Sequence, residues 1–465
     1  MLRGDQVVQG LPWRWGVQGK IFVIGGLGFA FDAWDVALTG VMLPLLTKDF
    51  GLSGLEQGLF AASSLAGMAV GAFSWGTVGD VLGRKRAFTV TLLIFALVTL
   101  VGAASPTFWF LLVTRFLAGI GLGGCVPVDY ALVAEFTPSK VRGRVLAGLD
   151  VWWPIGATGC GLTAILVAPL GSWRVMLLAM VLPALLVFWI RRSVPESPLF
   201  LASQGRNDEA RVVIDDLVTR TGATVEPWDV TRPPPAERAT PKVLVTKFRD
   251  VWAYDAKATS AAWGIAVMVL VLYYAALVWL PSILKKQGMG DVASFATATG
   301  MTAIGILGVV VSAWLVDAVG RKPTIIVSSI VAAGAMVGFA VMIGVPAAVW
   351  TWILVFGFVI ELAIPAVYCY IPELYPTSLR ASGFGWANTA SRLACALVPV
   401  LFGSLLWPVL GLTTTFVVVG IAVIASMLWL AYAGPETRGV ELDETDADVV
   451  AGTSSAGRTR TAGPA

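Results

Sequence analysis

Twelve stretches of this chain are long and apolar enough to cross a lipid bilayer, and no other feature restricts its fold as strongly. They cover 18–46, 55–79, 87–104, 107–133, 145–169, 172–190, 258–284, 293–316, 323–344, 347–372, 380–407 and 412–433. A spanning helix needs about 20 mostly apolar residues. Lipid cannot hydrogen-bond a bare backbone, so only helices or closed barrels cross it, and these runs lack the alternation of barrel strands. A chain that is 57% hydrophobic and 13% charged is not a soluble enzyme.

The chain also repeats itself. Glu135-Phe-Thr-Pro138-Ser-Lys-Val-Arg142 returns as Glu373-Leu-Tyr-Pro376-Thr-Ser-Leu-Arg380, a shift of 238 residues. Asp80-Val-Leu-Gly83-Arg84-Lys85 returns as Asp317-Ala-Val-Gly320-Arg321-Lys322, shifted by 237, and Pro195-Glu196-Ser197 as Pro435-Glu436-Thr437, shifted by 240. Three motifs at nearly one offset mean two copies of one half. The expected fold is therefore an all-α membrane protein of 12 transmembrane helices in two pseudo-symmetric six-helix bundles. The expected divisions are 1–190, a linker at 191–257, 258–434, and a tail at 435–465.

Lysine and arginine set the orientation. The loops holding Arg84, Lys85, Arg86, Lys140, Arg142, Arg144, the linker, Arg321, Lys322 and Arg380 are basic, whereas the opposite loops hold only Lys48, Arg174, Lys285 and Lys286. The positive-inside rule puts both termini in the cytoplasm and the protein in the inner or plasma membrane. No cleavable signal pattern is expected at the start. Residues 207–220 of the linker set Val212, Val213, Ile214 and Leu217 among charges, which predicts a short amphipathic helix on the inner surface. Pro233-Pro234-Pro235 breaks any helix there, and the tail after Gly439 is expected to be disordered. Cys125, Cys160, Cys369 and Cys395 all fall within spans as packing residues. A net charge of +3 without a basic stripe excludes nucleic acid as a partner, and no cofactor motif appears. The small-residue ladder Gly119, Gly121, Gly123, Gly124 lies inside an apolar run, where it serves helix packing rather than dinucleotide binding.

These motifs resemble those of the major facilitator superfamily. Asp80 to Arg86 is similar to its signature loop, and Arg115 to Gly124, Glu135 to Arg144, Pro195 to Pro198 and Pro435 to Gly439 resemble its sugar-porter-like branch. Phe31-Asp32-Ala-Trp34-Asp35-Val and Gly124-Cys-Val-Pro127-Val-Asp129-Tyr-Ala resemble bacterial niacin-type and synaptic-vesicle-protein-like metabolite:proton symporters. The resemblance implies a central cavity lined chiefly by spans 1, 4, 7 and 10, with rocker-type alternating access. It also implies gating residues: Asp80 and Arg84 with Glu135 and Arg142 in the first half, and Asp317 and Arg321 with Glu373 and Arg380 in the second. In that scheme Asp80 meets Arg142 or the N-terminal end of a second-half helix, and Asp317 with Arg380 is the partner set; for Lys85 and Arg86, orientation alone is the simpler role.

Ionisable residues inside spans are costly and normally face a cavity or a partner. Asp35 lies roughly 15 Å, and Arg115 roughly 12 Å, below the outer ends of spans 1 and 4 at 1.5 Å per residue, so they match in depth and can pair. Asp32 shares the face of Asp35 one turn deeper. The chain has no histidine, which leaves Asp32 and Asp35, with Arg115, as the expected proton-coupling group; a static Asp35–Arg115 pair is the alternative. Asp129 and Asp150 lie nearer the cytoplasm and are expected to serve the gate or packing. Arg392 in span 11 and Glu361 in span 10 fall near the midplane, where substrate sites of two-half transporters lie. A guanidinium can clamp a carboxylate bidentately, with Asn388 one turn away; mutual neutralisation by Glu361 is the alternative. Asn388 is the only amide well inside a span, which is poor provision for a sugar. Trp34, Tyr130, Tyr273 and Tyr274 are expected to offer aromatic surface to the substrate.

The sequence thus points to a monomeric secondary transporter, a proton symporter of a small organic anion such as an aromatic monocarboxylate. Its expected partners are the substrate, protons and the lipid bilayer. A sugar or polyol symporter, or a receptor of the same fold that does not transport, is the competing expectation.

Overall fold

The computed structural model describes residues 2–181, 194–230 and 241–438, apart from some side chains within helices, Asp80, Arg84 and Cys125 among them. Helices occupy the described part of all twelve predicted stretches. Span 1 is Gln18–Phe50, span 2 Gly54–Leu82, span 3 Arg84–Ala103, and span 4 is Phe108–Leu122 followed by Cys125–Phe136. Span 5 runs through Ser139–Gly148 and Trp152–Val167 with a 3-10 turn at Leu149–Val151, and span 6 opens with Trp173–Ala179. In the second half, Ala256–Lys286, Asp291–Ala318, Arg321–Val341, Pro346–Glu373, Thr377–Leu401 and Leu412–Ala433 are spans 7 to 12. Span 11 ends in a π-helical stretch, Phe402–Leu410. Among the described residues, nine helices are long and apolar enough to cross a membrane. The remainder of the sixth predicted span, Pro233–Pro235 and the tail beyond Arg438 lie outside the described residues.

Small residues decide how closely the spans approach. A Cβ on Gly119 would lie 2.3 Å from the Ser64 carbonyl oxygen, and one on Gly123 would lie 2.2 Å from that of Met68. Span 4 therefore rests on span 2 backbone to backbone, the packing role read from the ladder. The two halves meet along spans 1 and 7, 2 and 11, and 5 and 8. On the side away from the linker these seams are tight. A Cβ on Gly40 would lie 2.7 Å from the Leu277 carbonyl oxygen, and one on Gly58 would lie 2.6 Å from the Val400 Cα. Thr158 also donates to Thr302 across spans 5 and 8 at 3.0 Å.

On the linker side the repeated motifs find one another in the same way twice. Glu196 accepts the Lys85 N–H at 3.1 Å, and Glu436 accepts the N–H groups of Arg321 and Lys322 at 3.0 and 3.1 Å. Each glutamate thus caps the positive N-terminus of the third helix in its half. The glycine before each helix is required. Gly83 has φ +93° and Gly320 φ +119°, and a Cβ would press on Glu196 and Glu436 at 2.5 and 2.9 Å respectively.

The linker contains more structure than its sequence announces. The predicted amphipathic helix is Asn207–Thr221, with Ala210, Ile214 and Leu217 buried. Ile214 lies against Gly4 of an additional N-terminal helix, Gly4–Gly10. A two-residue parallel pairing, Leu2 with Trp228 and Arg3 with Asp229, ties the N-terminus to the linker and departs slightly from an all-helical chain. A further helix, Pro241–Tyr254, leads into span 7.

Candidate functional site

Span 1 carries Asp35 into a fully buried pocket between spans 2 and 4. The Arg115 guanidinium donates to Asp35 Oδ1 at 2.6 Å, and Ser64 Oγ donates to Oδ2 at 2.5 Å. Arg115 also reaches Thr39 at 3.3 Å. Both members of the pair are essentially inaccessible to solvent. The matching depths read from the sequence thus become a contact, with both oxygens of Asp35 satisfied.

Asp32 is different. It is fully buried, and neither carboxylate oxygen has a hydrogen-bond partner. Asp35, Asp129 and Arg392 are the charges within electrostatic reach of it. Asp129, from span 4, fits the notch that Gly25 and Gly28 leave in span 1, and its oxygens are likewise buried without a hydrogen bond. The two neighbouring aspartates of span 1 therefore have separate surroundings: one held in an ion pair, the other buried with neither oxygen hydrogen-bonded.

The central cavity lies between the halves. Phe29, Asp150 and Trp153 line it from the first half, and Tyr273, Tyr274, Glu361, Tyr368 and Arg392 from the second. Leu65, Asn388 and Cys395 extend the wall around Arg392. Trp153 donates its indole N–H to the Tyr273 hydroxyl at 3.0 Å across the interface, with its ring centroid 5.8 Å from that of Tyr274. Phe29 stands 5.4 Å from Trp153, which completes an aromatic enclosure. Arg392 is the cation facing this space. Its electrostatic neighbours are Tyr274, Asp32 and Tyr368, and no carboxylate of the described residues is within ion-pair distance.

Glu361 does not neutralise Arg392. It lies in a notch at Gly305 and Gly308 of span 8, on the side of the cavity where Tyr273 stands, while its Oε1 has no partner among the described residues. Span 10 turns it towards span 8, away from span 11. Asp150, expected to serve the gate or packing, instead lines the cavity and accepts the Tyr130 hydroxyl at 2.8 Å. The 3-10 turn at Leu149–Val151 changes its direction, which a constant helical rise cannot anticipate. Tyr130 thus stands behind Asp150, and Trp34 is outside the wall, packed against Gly159 of span 5. Sequence reasoning gave no sign of Phe29 in the cavity, because one apolar residue in an apolar helix carries no pattern.

At the linker side three of the four residues expected to gate the second half, Asp317, Arg321 and Glu373, form one cluster. Arg321 forks onto Glu373 with two contacts of 3.1 Å, and Glu373 also accepts the Thr437 hydroxyl at 2.6 Å. Asp317 meets Arg321 at 3.2 Å, four residues on across the turn at Gly320, and not Arg380. Arg380 keeps its Nε and Nη2 without hydrogen-bond partners among the described residues. In the first half Arg142 donates to the Thr137 carbonyl at 3.2 Å, and Glu135 lines a cavity beside it and the N-terminal helix. The side chains of Asp80 and Arg84 lie outside the described residues.

Comparison with known proteins follows the same lines. Residues 21–449 match the family described as "Sugar (and other) transporter". The chain is 32% identical over 423 residues to a niacin transporter of Acinetobacter baylyi, covering 90% of this chain and 94% of that protein. It is 29% identical over 427 residues to a gallate transporter of Pseudomonas putida, covering 88% and 90%. Among solved structures, it is similar in fold to the partially occluded inward-open xylose transporter of E. coli, with TM-score 0.75 and 18% identity over 92% of this chain and 100% of that one. Twelve helices in two bundles, the family match over most of the chain and transporter relatives at full length lead to one conclusion: the chain belongs to the sugar (and other) transporter family of the major facilitator superfamily, and it is a multi-pass membrane transporter, not an enzyme.

Proposed function

We propose that the protein is a proton-coupled symporter that imports a small aromatic monocarboxylate of about the size of nicotinate by alternating access. Arg392 carries this reading: it is a cation with no ion-pair partner among the described residues, facing a cavity walled by Tyr273, Tyr274, Tyr368 and Trp153. A carboxylate supplies the missing counter-charge through two parallel hydrogen bonds, and the aromatic walls stack on a flat ring once the halves part to widen this space, about 30 Å³ in the present form. A hexose finds only Asn388 as an amide here. Relatives named for niacin and gallate, both small aromatic acids, support the same class. For the proton, Asp32 is buried without a hydrogen bond and within electrostatic reach of Arg392, so substrate and proton sense each other's charge. The linker and both termini face the cytoplasm in this reading, in accord with the basic loops on that side.

The test is uptake into proteoliposomes of nicotinate, benzoate, their amides, xylose and a polyol, with and without an inward pH gradient. Accumulation of the acids that collapses with the gradient is the expected result. Uptake of the neutral solutes in preference to the acids would replace the anion reading with a sugar or polyol one.

A further inference from the structure

A second cavity opens on the face away from the linker, at the seam where spans 1, 2, 7 and 11 meet, and its lining sets lysines beside tryptophans. Three cations converge on it: Lys48 from the end of span 1, and Lys285 and Lys286 from the end of span 7. Lysine at a helix C-terminus also complements the helix dipole, which accounts for its presence but not for its direction. Lys286 lies over the Trp407 ring, 4.5 Å from its centroid, so its charge is held across the seam onto the other helix. Lys285 pairs with Asp291, which leaves Lys48 and Lys286 as the cavity's available charges. The apolar wall is Trp279, completely buried, and Trp407, with ring centroids 5.9 Å apart. The Trp279 indole N–H is buried without an acceptor, and so is the hydroxyl of Ser282, which also lines the cavity. A buried donor left unmet is costly, and here two of them border a space walled by positive charge.

We infer that this vestibule is an outer capture site for a small aromatic carboxylate. The carboxylate is drawn by Lys48 and Lys286 and meets the orphaned donors, and its ring lies along Trp279 and Trp407. Below the vestibule the seam is closed: one turn further along span 2, a Cβ on Gly58 would lie 2.6 Å from the Val400 Cα. An anion held here therefore waits at the helices that must part before it reaches Arg392. Few positive charges stand on this face, so their convergence on one cavity concentrates a substrate of opposite sign. The inference rests on the proposed class of substrate and on this face being the outer one.

Lysine footprinting tests it without relying on transport. The full-length protein in nanodiscs of neutral phosphatidylcholine, which offer no anionic headgroup, is acetylated under limiting conditions. Modification of Lys48 and Lys286 is then read by peptide mass spectrometry, with benzoate, benzamide or inorganic phosphate present. Benzoate should slow modification at both lysines, benzamide should not, and the protection should persist in Arg392→Gln. No protection by benzoate, or equal protection by benzamide, overturns the site; equal protection by phosphate overturns its aromatic class. If the protein transports acids, Lys286→Gln should also raise the apparent KM for outside substrate about fivefold, as loss of a partly solvated charge contact does, and leave the inside KM unchanged. Protection without any acid uptake would keep the vestibule and reject the proposed transport function.

Discussion

Arg115 holds Asp35 at 2.6 Å in a pocket closed to solvent, although 80 residues separate them in the chain. The pair joins spans 1 and 4 within the first bundle; Ser64 donates to the second Asp35 oxygen and Thr39 accepts from Arg115, whose Nε and Nη1 stay buried without a partner among the described residues. It is a structural joint of that bundle as well as a candidate for coupling.

Breaking that joint on one side should cost more than removing it. Asp35→Asn or Arg115→Gln alone strands a buried group and should destabilise the protein by roughly 3–5 kcal/mol. The double replacement should recover most of the loss, as read by thermal unfolding in detergent. Double-variant stability no better than either single would mean that the two residues do not act as a pair.

Coupling should follow Asp32. Its carboxylate is buried without a hydrogen bond, so it can take up or release a proton without disturbing an ion pair. Asp32→Asn is expected to fold, to exchange preloaded substrate across the membrane, and to lose accumulation driven by a pH gradient. Full gradient-driven accumulation in this variant would remove Asp32 from the proton's route.

Recognition should follow Arg392. Arg392→Gln should weaken binding of acids by about tenfold or more, since a hydrogen bond to a charged group contributes roughly 1.5–3 kcal/mol. Arg392→Lys should also bind worse, because an ammonium keeps the charge but not the two-pronged geometry. Calorimetry comparing an acid with its amide decides this; equal affinity for both in the unaltered protein rejects the anion clamp.

The seam between spans 1 and 7 should not tolerate a side chain. With only 2.7 Å from a Cβ at Gly40 to the Leu277 carbonyl oxygen, Gly40→Val must hold the two helices apart. The population should shift towards the form open away from the linker. Labelling of a cysteine placed at Ser282 should accelerate while substrate exchange falls; unaltered labelling would show that the seam closes around the added bulk.

The sequence determined the spans and their two-fold repetition by itself. Lipid imposes its requirement on every window of about 20 residues, so the information is local and needs no knowledge of neighbours. The repeated Pro-Glu motifs were legible in the same way, although their task was not. That Glu196 and Glu436 cap helices over 100 residues away emerged only when the chain was folded. Depth along the spans already paired Asp35 with Arg115, but tertiary structure alone decided Arg321 rather than Arg380 for Asp317 and left Arg392 with no carboxylate at ion-pair distance among the described residues. Successive residues on a helix point about 100° apart, following from 3.6 residues per turn, and a break such as the turn at Asp150 resets that direction. Depth along a span can therefore be counted from the sequence. Which atoms then meet across the bundle depends on helix rotation, on the notches that glycines leave and on distances of a few ångströms, and those exist only in the folded protein.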